Sequence, residues 1–459
     1  MQGLPPEIIC DIFKCSLPPK ISAGNILYDE SVRAPLLVSH ICSSWRRLAL
    51  STGELWCQLC VDYESFERRK RRKMMMEVFQ TWLLRSKSCP LNYLFRCYLG
   101  EEREVDIEVH HCAERIMTML LAEQHRWADV HFSWQGVQLS PEFPGIVLTN
   151  MPMLTSLSLS FQINEMSRRP LINVTKSSRL KSLRLYGDYD LELGKKPFFA
   201  LTEPSKLGFV SNIPRSCAID AFFILCFLRN APFLSEFHVE TFRGWDGNKL
   251  SSGPDNHTPL LVHELRALTL NGCYTAAYVL ERVTLPCLTA LLYDNERYDS
   301  ADRTLLNFFE RSRPPLTYLE IWRNDLFEDP AIILQSLPGL RDLRIKYTDI
   351  SIQLFHALTI KEDRQIACPA LSSLWLEELD PTSTGSAGIE ALISMVKSRQ
   401  GSLVPFRTGY VDYGIDYPDV EFEVAEIDKK FDLLRNAISE YAIKFEGDEI
   451  PPYPFRGDD

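Results

Sequence analysis

Leu316-Thr317-Tyr318-Leu319-Glu320-Ile321, Leu340-Arg341-Asp342-Leu343-Arg344-Ile345 and Leu371-Ser372-Ser373-Leu374-Trp375-Leu376 repeat one pattern, L-x-x-L-x-L. Toward the N-terminus the same spacing recurs as Leu154-x-x-Leu157-x-Leu159, Leu180-x-x-Leu183-x-Leu185 and Leu265-x-x-Leu268-x-Leu270. Softer copies are Leu234-x-x-Phe237-x-Val239 and Leu288-x-x-Leu291, where the third apolar position has slid to Tyr293. An earlier copy starts at Trp127, with Val130 and Phe132, and a decayed one near Leu207 fills the gap after Leu180. The alternation L-x-L is a short strand with one buried face, and the first leucine anchors the turn that feeds it. Prolines 152, 232, 286, 338 and 369 stand two residues before the first leucine. They are expected to end the preceding helix or loop and preset an extended entry. Helix-like stretches such as Ala218 to Arg229 and Gly388 to Arg399 lie between the strands.

A unit of this kind cannot cover its own apolar face, so neighbours must stack and share one core. From Trp127 to Leu371 is 244 residues, and nine intervals give about 27 residues each, inside the leucine-rich-repeat range of roughly 20–29. The expected fold is therefore α/β, a leucine-rich-repeat solenoid (horseshoe) over residues 126–410. In the segment 411–459, Val424, Ile427, Phe431, Leu434, Ile438, Tyr441 and Phe445 form a helical stripe. Such a C-terminal helix suits a cap over the last repeat, because arrays need their exposed end covered.

The N-terminus reads differently. Leu4-Pro5-Pro6-Glu7-Ile8-Ile9-Cys10-Asp11-Ile12-Phe13 predicts a helix with Ile8, Ile9, Ile12 and Phe13 on one face. A second helix is expected from Pro35, with Val38, Ile41, Cys42, Trp45, Leu48 and Ala49 buried and Gly53 as its stop. Leu4-Pro5-x-Glu7-Ile8…Ile12-Phe13 followed by Val38…Ile41-Cys42-x-x-Trp45-Arg46…Ala49…Leu55-Trp56 resembles the F-box, in the F-box-like form abundant in mushroom-forming (basidiomycete) fungi. In that family the box is commonly followed by a helical segment resembling Trp82-Leu83-x-Arg85-Ser86-x-x-x-Pro90-Leu91, then by degenerate leucine-rich repeats. The implied organisation is an F-box-like helical module at 1–60, a helical linker at 61–125, the array, and the acidic C-terminal segment.

The resemblance implies a non-catalytic substrate-recognition subunit of a Skp–cullin–F-box ubiquitin ligase. By carry-over, Leu4, Pro5, Ile8, Ile12, Val38 and Trp45 belong to the box that docks on a Skp-type adaptor, and through it on a cullin–RING ligase. The alternative is a non-ligase leucine-rich-repeat scaffold for protein–protein interaction, carrying a decayed box.

Composition agrees with a protein-binding role. The net charge of −11 disfavours nucleic acid and anionic membrane as main partners. Thirteen irregularly spaced cysteines, with no signal-peptide pattern at Met1–Glu7, read as reduced thiols of the cytosol or nucleus. Cys57-x-x-Cys60 is a lone pair without a second zinc-spaced pair, and no nucleotide-loop, nucleophile-elbow or zinc-protease motif occurs. No catalytic, cofactor or metal residue is therefore assigned. The basic run Arg68–Lys73 reads as a solvated helix face or a nuclear-import signal. On the array, residues between the leucines should project onto the concave face. Tyr318, Trp322, Arg344 and Trp375 bring to it the residue types enriched at binding hot spots, so an exposed target-binding patch is expected, with Trp322, Arg344 and Trp375 side by side.

Overall fold

A computed structural model describes residues 4–17, 30–62, 69–98, 107–135, 143, 145–162, 170–174, 177, 179–187, 190–192, 205–211, 221–231, 233–241, 259–271, 276–294, 301–322, 330–346, 352–361, 366–377, 381–400, 408–411 and 444–445. The protein is mixed α/β with parallel sheets. It divides into two compact units between Cys217 and Ala218, inside the stretch expected as one array.

The first unit opens with helices α1 (Pro6–Cys15), α2 (Glu30–Ile41) and α3 (Ser43–Ser51), then a 3-10 turn at Gly53–Trp56. There follow β1 (Gln58–Asp62), α4 (Arg69–Ser86), β2 (Leu91–Tyr98), α5 (Ile107–Ala122), β3 (Trp127–Gln135), β4 (Val147–Leu148), β5 (Ser156–Gln162), β6 (Leu171–Asn173), β7 (Ser182–Gly187), β8 (Asp190–Glu192) and β9 (Ser205–Ser211). Strands β1, β2, β3, β5, β7 and β9 pair in that order, all parallel, while β4, β6 and β8 form a small parallel sheet of their own.

The second unit runs α6 (Ala221–Asn230), β10 (Leu234–Thr241), β11 (Leu260–Leu261), β12 (Ala267–Asn271), α7 (Ala276–Arg282), β13 (Val283–Thr284), β14 (Ala290–Asp294), α8 (Ala301–Ser312), β15 (Tyr318–Trp322), α9 (Pro330–Gln335), β16 (Asp342–Lys346), α10 (Ile352–Leu358), β17 (Ser373–Glu377), α11 (Pro381–Gln400), β18 (Thr408–Val411) and β19 (Lys444–Phe445). Its main sheet pairs β10, β12 and β14 through β19 in chain order, again all parallel.

Every L-x-x-L-x-L copy yields a strand, and the register aligns the copies. The second apolar positions line up as Val130, Leu157, Leu183 and Leu207 in the first unit. In the second unit they line up as Phe237, Leu268, Leu291, Leu319, Leu343 and Leu374. The decayed copy near Leu207 thus supplies a true strand. The first leucines, from Leu154 to Leu371, are fully buried, each contributing about 1.5–3 kcal/mol of transfer free energy.

Two local devices set the strand entries. Leu154, Leu234, Leu288, Leu340 and Leu371 each donate their N–H to the carbonyl three residues back, at 3.0–3.3 Å. Pro152, Pro286, Pro338 and Pro369 therefore occupy the second position of a β-turn, where their fixed φ fits, rather than the extended approach expected of them, and Pro232 lies outside the described residues. The residue after each first leucine then donates to its counterpart one strand earlier: Thr289 to Arg266 O, Thr317 to Thr289 O, Arg341 to Thr317 O and Ser372 to Arg341 O, at 2.8–2.9 Å. Side-chain hydroxyls of Thr155, Thr289, Thr317 and Ser372 double that contact.

Several expectations are corrected. Residues 61–125 are not a helical linker, because they contain β2, whose Leu91, Tyr93, Phe95 and Cys97 alternate into the core. The helix expected from Pro35 starts earlier, at Glu30, and breaks at Cys42. There the backbone is extended (φ −157°, ψ 169°) and the Cys42 sulfur accepts from the Trp45 N–H at 3.4 Å, capping α3. Gly53 does not stop that helix: Thr52 does, bonding back to Leu48 O. Of the C-terminal stripe, Val424 to Tyr441 lie outside the described residues, and Phe445 sits in a strand opposite Val411.

What Gly53 supplies is close approach. A Cβ there would stand 3.0 Å from both Ser86 O and Cys89 Sγ, at the C-terminal end of α4. Gly53→Ala is expected to destabilise the first unit by about 1–3 kcal/mol, since the backbone carbonyl cannot yield. Urea titration followed by tryptophan fluorescence checks this, because Trp56 and Trp82 pack edge-to-face beside it, at 4.6 Å.

Candidate functional site

The N-terminal helices bury one face and expose another. Ile9 and Phe13 of α1 are buried, with Phe13 packed on the Trp45 ring at 4.8 Å. Val38, Ala49, Leu55 and Trp56 complete this small core, and Trp56 Nε1 donates to Ala49 O at 2.8 Å. Trp56 also rests against Trp82 and beneath the Arg85 guanidinium, 4.4 Å from its ring. Lys14 pairs with Asp11 at 3.4 Å and with Glu54, tying α1 to the 3-10 turn. Attraction to both carboxylates, the Glu54 bond first, raises the Lys14 ammonium above its ordinary value.

On the outside, Leu4, Ile8 and Ile12 recur every four residues and are 42%, 47% and 41% exposed. Leu37 and Ile41 of α2 repeat the spacing at 63% and 61% exposed. Five large aliphatic side chains on two short helices thus face solvent. The adaptor-binding residues inferred from the sequence divide accordingly. Leu4, Pro5, Ile8 and Ile12 are exposed, Val38 is core, and Trp45 is half-buried against Phe13. Ile41, expected inside, is outside because the buried face of α2 runs through Pro35, Val38 and Ser39. Leu37 was not legible as a surface residue.

The second candidate lies on β15–β17, on the face opposite the leucines. Glu320 is 1% exposed and accepts hydrogen bonds from the Tyr318 hydroxyl and, at 2.6 Å, from Trp322 Nε1. Arg344 stands opposite Glu320 on the next strand, and Trp375 opposite Arg344. The Arg344 guanidinium lies 5.0 Å from the Trp375 ring and 5.4 Å from the Tyr318 ring. Trp375 Nε1 donates to Ser373 Oγ at 2.7 Å.

This packing differs from the exposed patch expected. Tyr318, Arg344 and Trp375 are buried, whereas Trp322 and Lys346, at the strand ends, are half-exposed. The expected row is also staggered: Arg344 and Trp375 are in register, whereas Trp322 faces Lys346, whose ammonium lies 5.0 Å from its ring. Glu320, the hub of the cluster, was missed as a site residue. Its signal was the spacing itself, since positions 318, 320 and 322 must share one strand face. Earlier strands are more open on this side, with Ser156, Ser158 and Arg184 half-buried.

Other sequence candidates are placed as follows. The Arg68–Lys73 run leads into α4, and its side chains lie outside the described residues. His110, His111 and Cys112 ride on α5, where His111 stands 3.6 Å from Glu114 and burial lowers the His110 imidazole. Among the described residues, no group of three or more His, Cys, Asp or Glu side chains is placed to hold a metal ion, and no helix is long and apolar enough to cross a membrane. No protein-family model matches the chain, and no curated protein is similar to it.

Proposed function

We propose that the protein is the substrate-recognition subunit of a Skp–cullin–F-box ubiquitin ligase, with an F-box-like module ahead of a leucine-rich-repeat solenoid. The observation that carries this reading is the uncovered aliphatic surface of Leu4, Ile8, Ile12, Leu37 and Ile41 on a module whose own core is already filled. Exposed aliphatic side chains in this number are the kind of surface a partner covers. The solenoid reading is supported by parallel strands that follow one another in chain order, one per L-x-x-L-x-L copy, with equivalent leucines in register. A target would meet the strand ends at Trp322 and Lys346, with Tyr318, Glu320, Arg344 and Trp375 as a rigid bed beneath them.

The test is binding of the full chain to a purified Skp-type adaptor, measured calorimetrically. Ile8→Asp combined with Ile41→Asp should weaken adaptor binding more than a hundredfold, because both charges would have to be buried at the contact. Both sites are exposed, so the melting curve should stay within a degree or two of the wild type. Wild-type affinity in the double variant would refute the docking surface.

A further inference from the structure

The thiol nearest in purpose to Cys57 is not Cys60, its partner in the C-x-x-C spacing, but Cys89, thirty-two positions along the chain. Cys57 closes the 3-10 turn that follows the N-terminal helices and immediately precedes β1. Cys89 sits in the turn between α4 and β2. Gly53 lies between the two: the Cys57 thiol donates to Gly53 O at 3.2 Å, and Cys89 Sγ stands 3.0 Å from where a Gly53 Cβ would be. Cys89 is near enough to Cys57 to act on its thiol. Cys60, by contrast, is carried away along β1 at about 3.3 Å per residue, beyond the roughly 7 Å Cα separation that a disulfide tolerates.

The surroundings differentiate the two sulfurs. Cys57 is buried and Cys89 half-buried. Desolvation first, then the neighbouring Cys89, pushes the Cys57 thiol up to about 12, while the Arg126 guanidinium pulls the other way. That guanidinium is fixed by Cys89 O at 2.9 and 3.0 Å, Ser86 Oγ at 2.7 Å and Glu123 at 3.0 Å. The half-exposed Cys89 sulfur is the one an oxidant can reach, and the buried Cys57 sulfur lies beside it to resolve the product.

We propose that Cys57 and Cys89 are a dithiol that closes to a disulfide when hydrogen peroxide reaches Cys89. The Cys89 thiolate attacks the peroxide, forming an S–O bond as the O–O bond breaks; hydroxide leaves and takes up the thiol proton as water. The Cys57 sulfur then attacks the Cys89 sulfenic acid, forming S–S and breaking S–O, and its proton leaves with the departing hydroxide as a second water. The two sulfurs lose two electrons and the peroxide gains them. The bond would join the end of the N-terminal helices to the α4–β2 turn.

The experiment treats the full, reduced chain with increasing hydrogen peroxide, blocks free thiols by alkylation and maps peptides without reductant. The expected product at the lowest effective dose is a Cys57–Cys89 cross-linked peptide, independent of protein concentration and reversed by dithiothreitol. In Cys57→Ser, Cys89 should instead accumulate as sulfenic acid and take up dimedone. A Cys57–Cys60 cross-link would overturn the proposal. So would recovery of Cys57 and Cys89 as alkylated thiols at doses that oxidise the exposed Cys15, Cys42 and Cys287. The wild-type map decides the matter even if the serine variant does not fold.

Discussion

Trp375→Ala should lower the stability of the second unit by about 3–5 kcal/mol, the range for deleting a large buried aromatic. The ring is 4% exposed, is bonded through Nε1 to Ser373 Oγ and carries the Arg344 guanidinium on its face. Its removal leaves a cavity and strips the stacking partner from a buried cation. At the roughly 2–4 °C per kcal/mol expected for a unit of this size, the melting midpoint should fall by more than about 6 °C. Trp322→Ala makes the contrast: its ring is half-exposed and its main loss is one donor to Glu320. That change should cost about 1–2 kcal/mol. Differential scanning calorimetry of the two variants, with recovery of a bound target as a second readout, separates packing from recognition. If Trp375→Ala melts like the wild type, the buried cluster described for β15–β17 is wrong.

The second large effect is expected at Arg399. This α11 residue is 1% exposed, and its guanidinium donates to Leu358 O at 2.8 Å, Cys368 O at 3.1 Å and Ala367 O at 2.7 Å. It closes the C-terminal end of α10 and the loop that leads into β17. Burial lowers its affinity for a proton, and the three carbonyls satisfy the charge that remains. Arg399→Ala would leave those acceptors buried and unbonded, at about 1–3 kcal/mol each, for a total of roughly 3–5 kcal/mol once neighbours relax. Arg399→Lys should restore less than half of this, because an ammonium cannot match the planar fork. Urea unfolding of the three proteins checks the ranking, and hydrogen exchange at residues 352–361 should locate the loss. A lysine variant as stable as the wild type would show that charge alone suffices.

The sequence disclosed the strands wherever leucine marked both the turn and the core. Leucine at three fixed spacings makes burial periodic, and period-two burial in a parallel sheet leaves one geometry for each copy. Strand β2 was hidden because it fills the same inward positions with Leu91, Tyr93, Phe95 and Cys97, and the mixed sizes obscure the alternation. Cys42 misled for the opposite reason. Apolar residues at 38, 41, 42, 45, 48 and 49 continue a helical period across it, yet Ser43 and Ser44 are weak helix formers beside a sulfur that can cap. The aromatic face of β15–β17 was legible in composition but not in depth. Neighbour spacing says that Tyr318, Glu320 and Trp322 share a face, whereas how far each is buried depends on what packs over the strand.

The Arg399 clamp also sets an order in time. A ribosome delivers roughly 5–20 residues per second, and domains fold as they emerge. Leu358 O is made 41 residues before the guanidinium that will cap it, so for about 2–8 s the end of α10 exists without its closure. The same delay recurs at Arg311, which reaches back 31 residues to Leu280 O, and at Arg126, which reaches back 37 to Cys89 O. Each segment is thus provisional until a later arginine arrives, and a chain stalled between the two would present an unfinished helix or turn to chaperones and proteases.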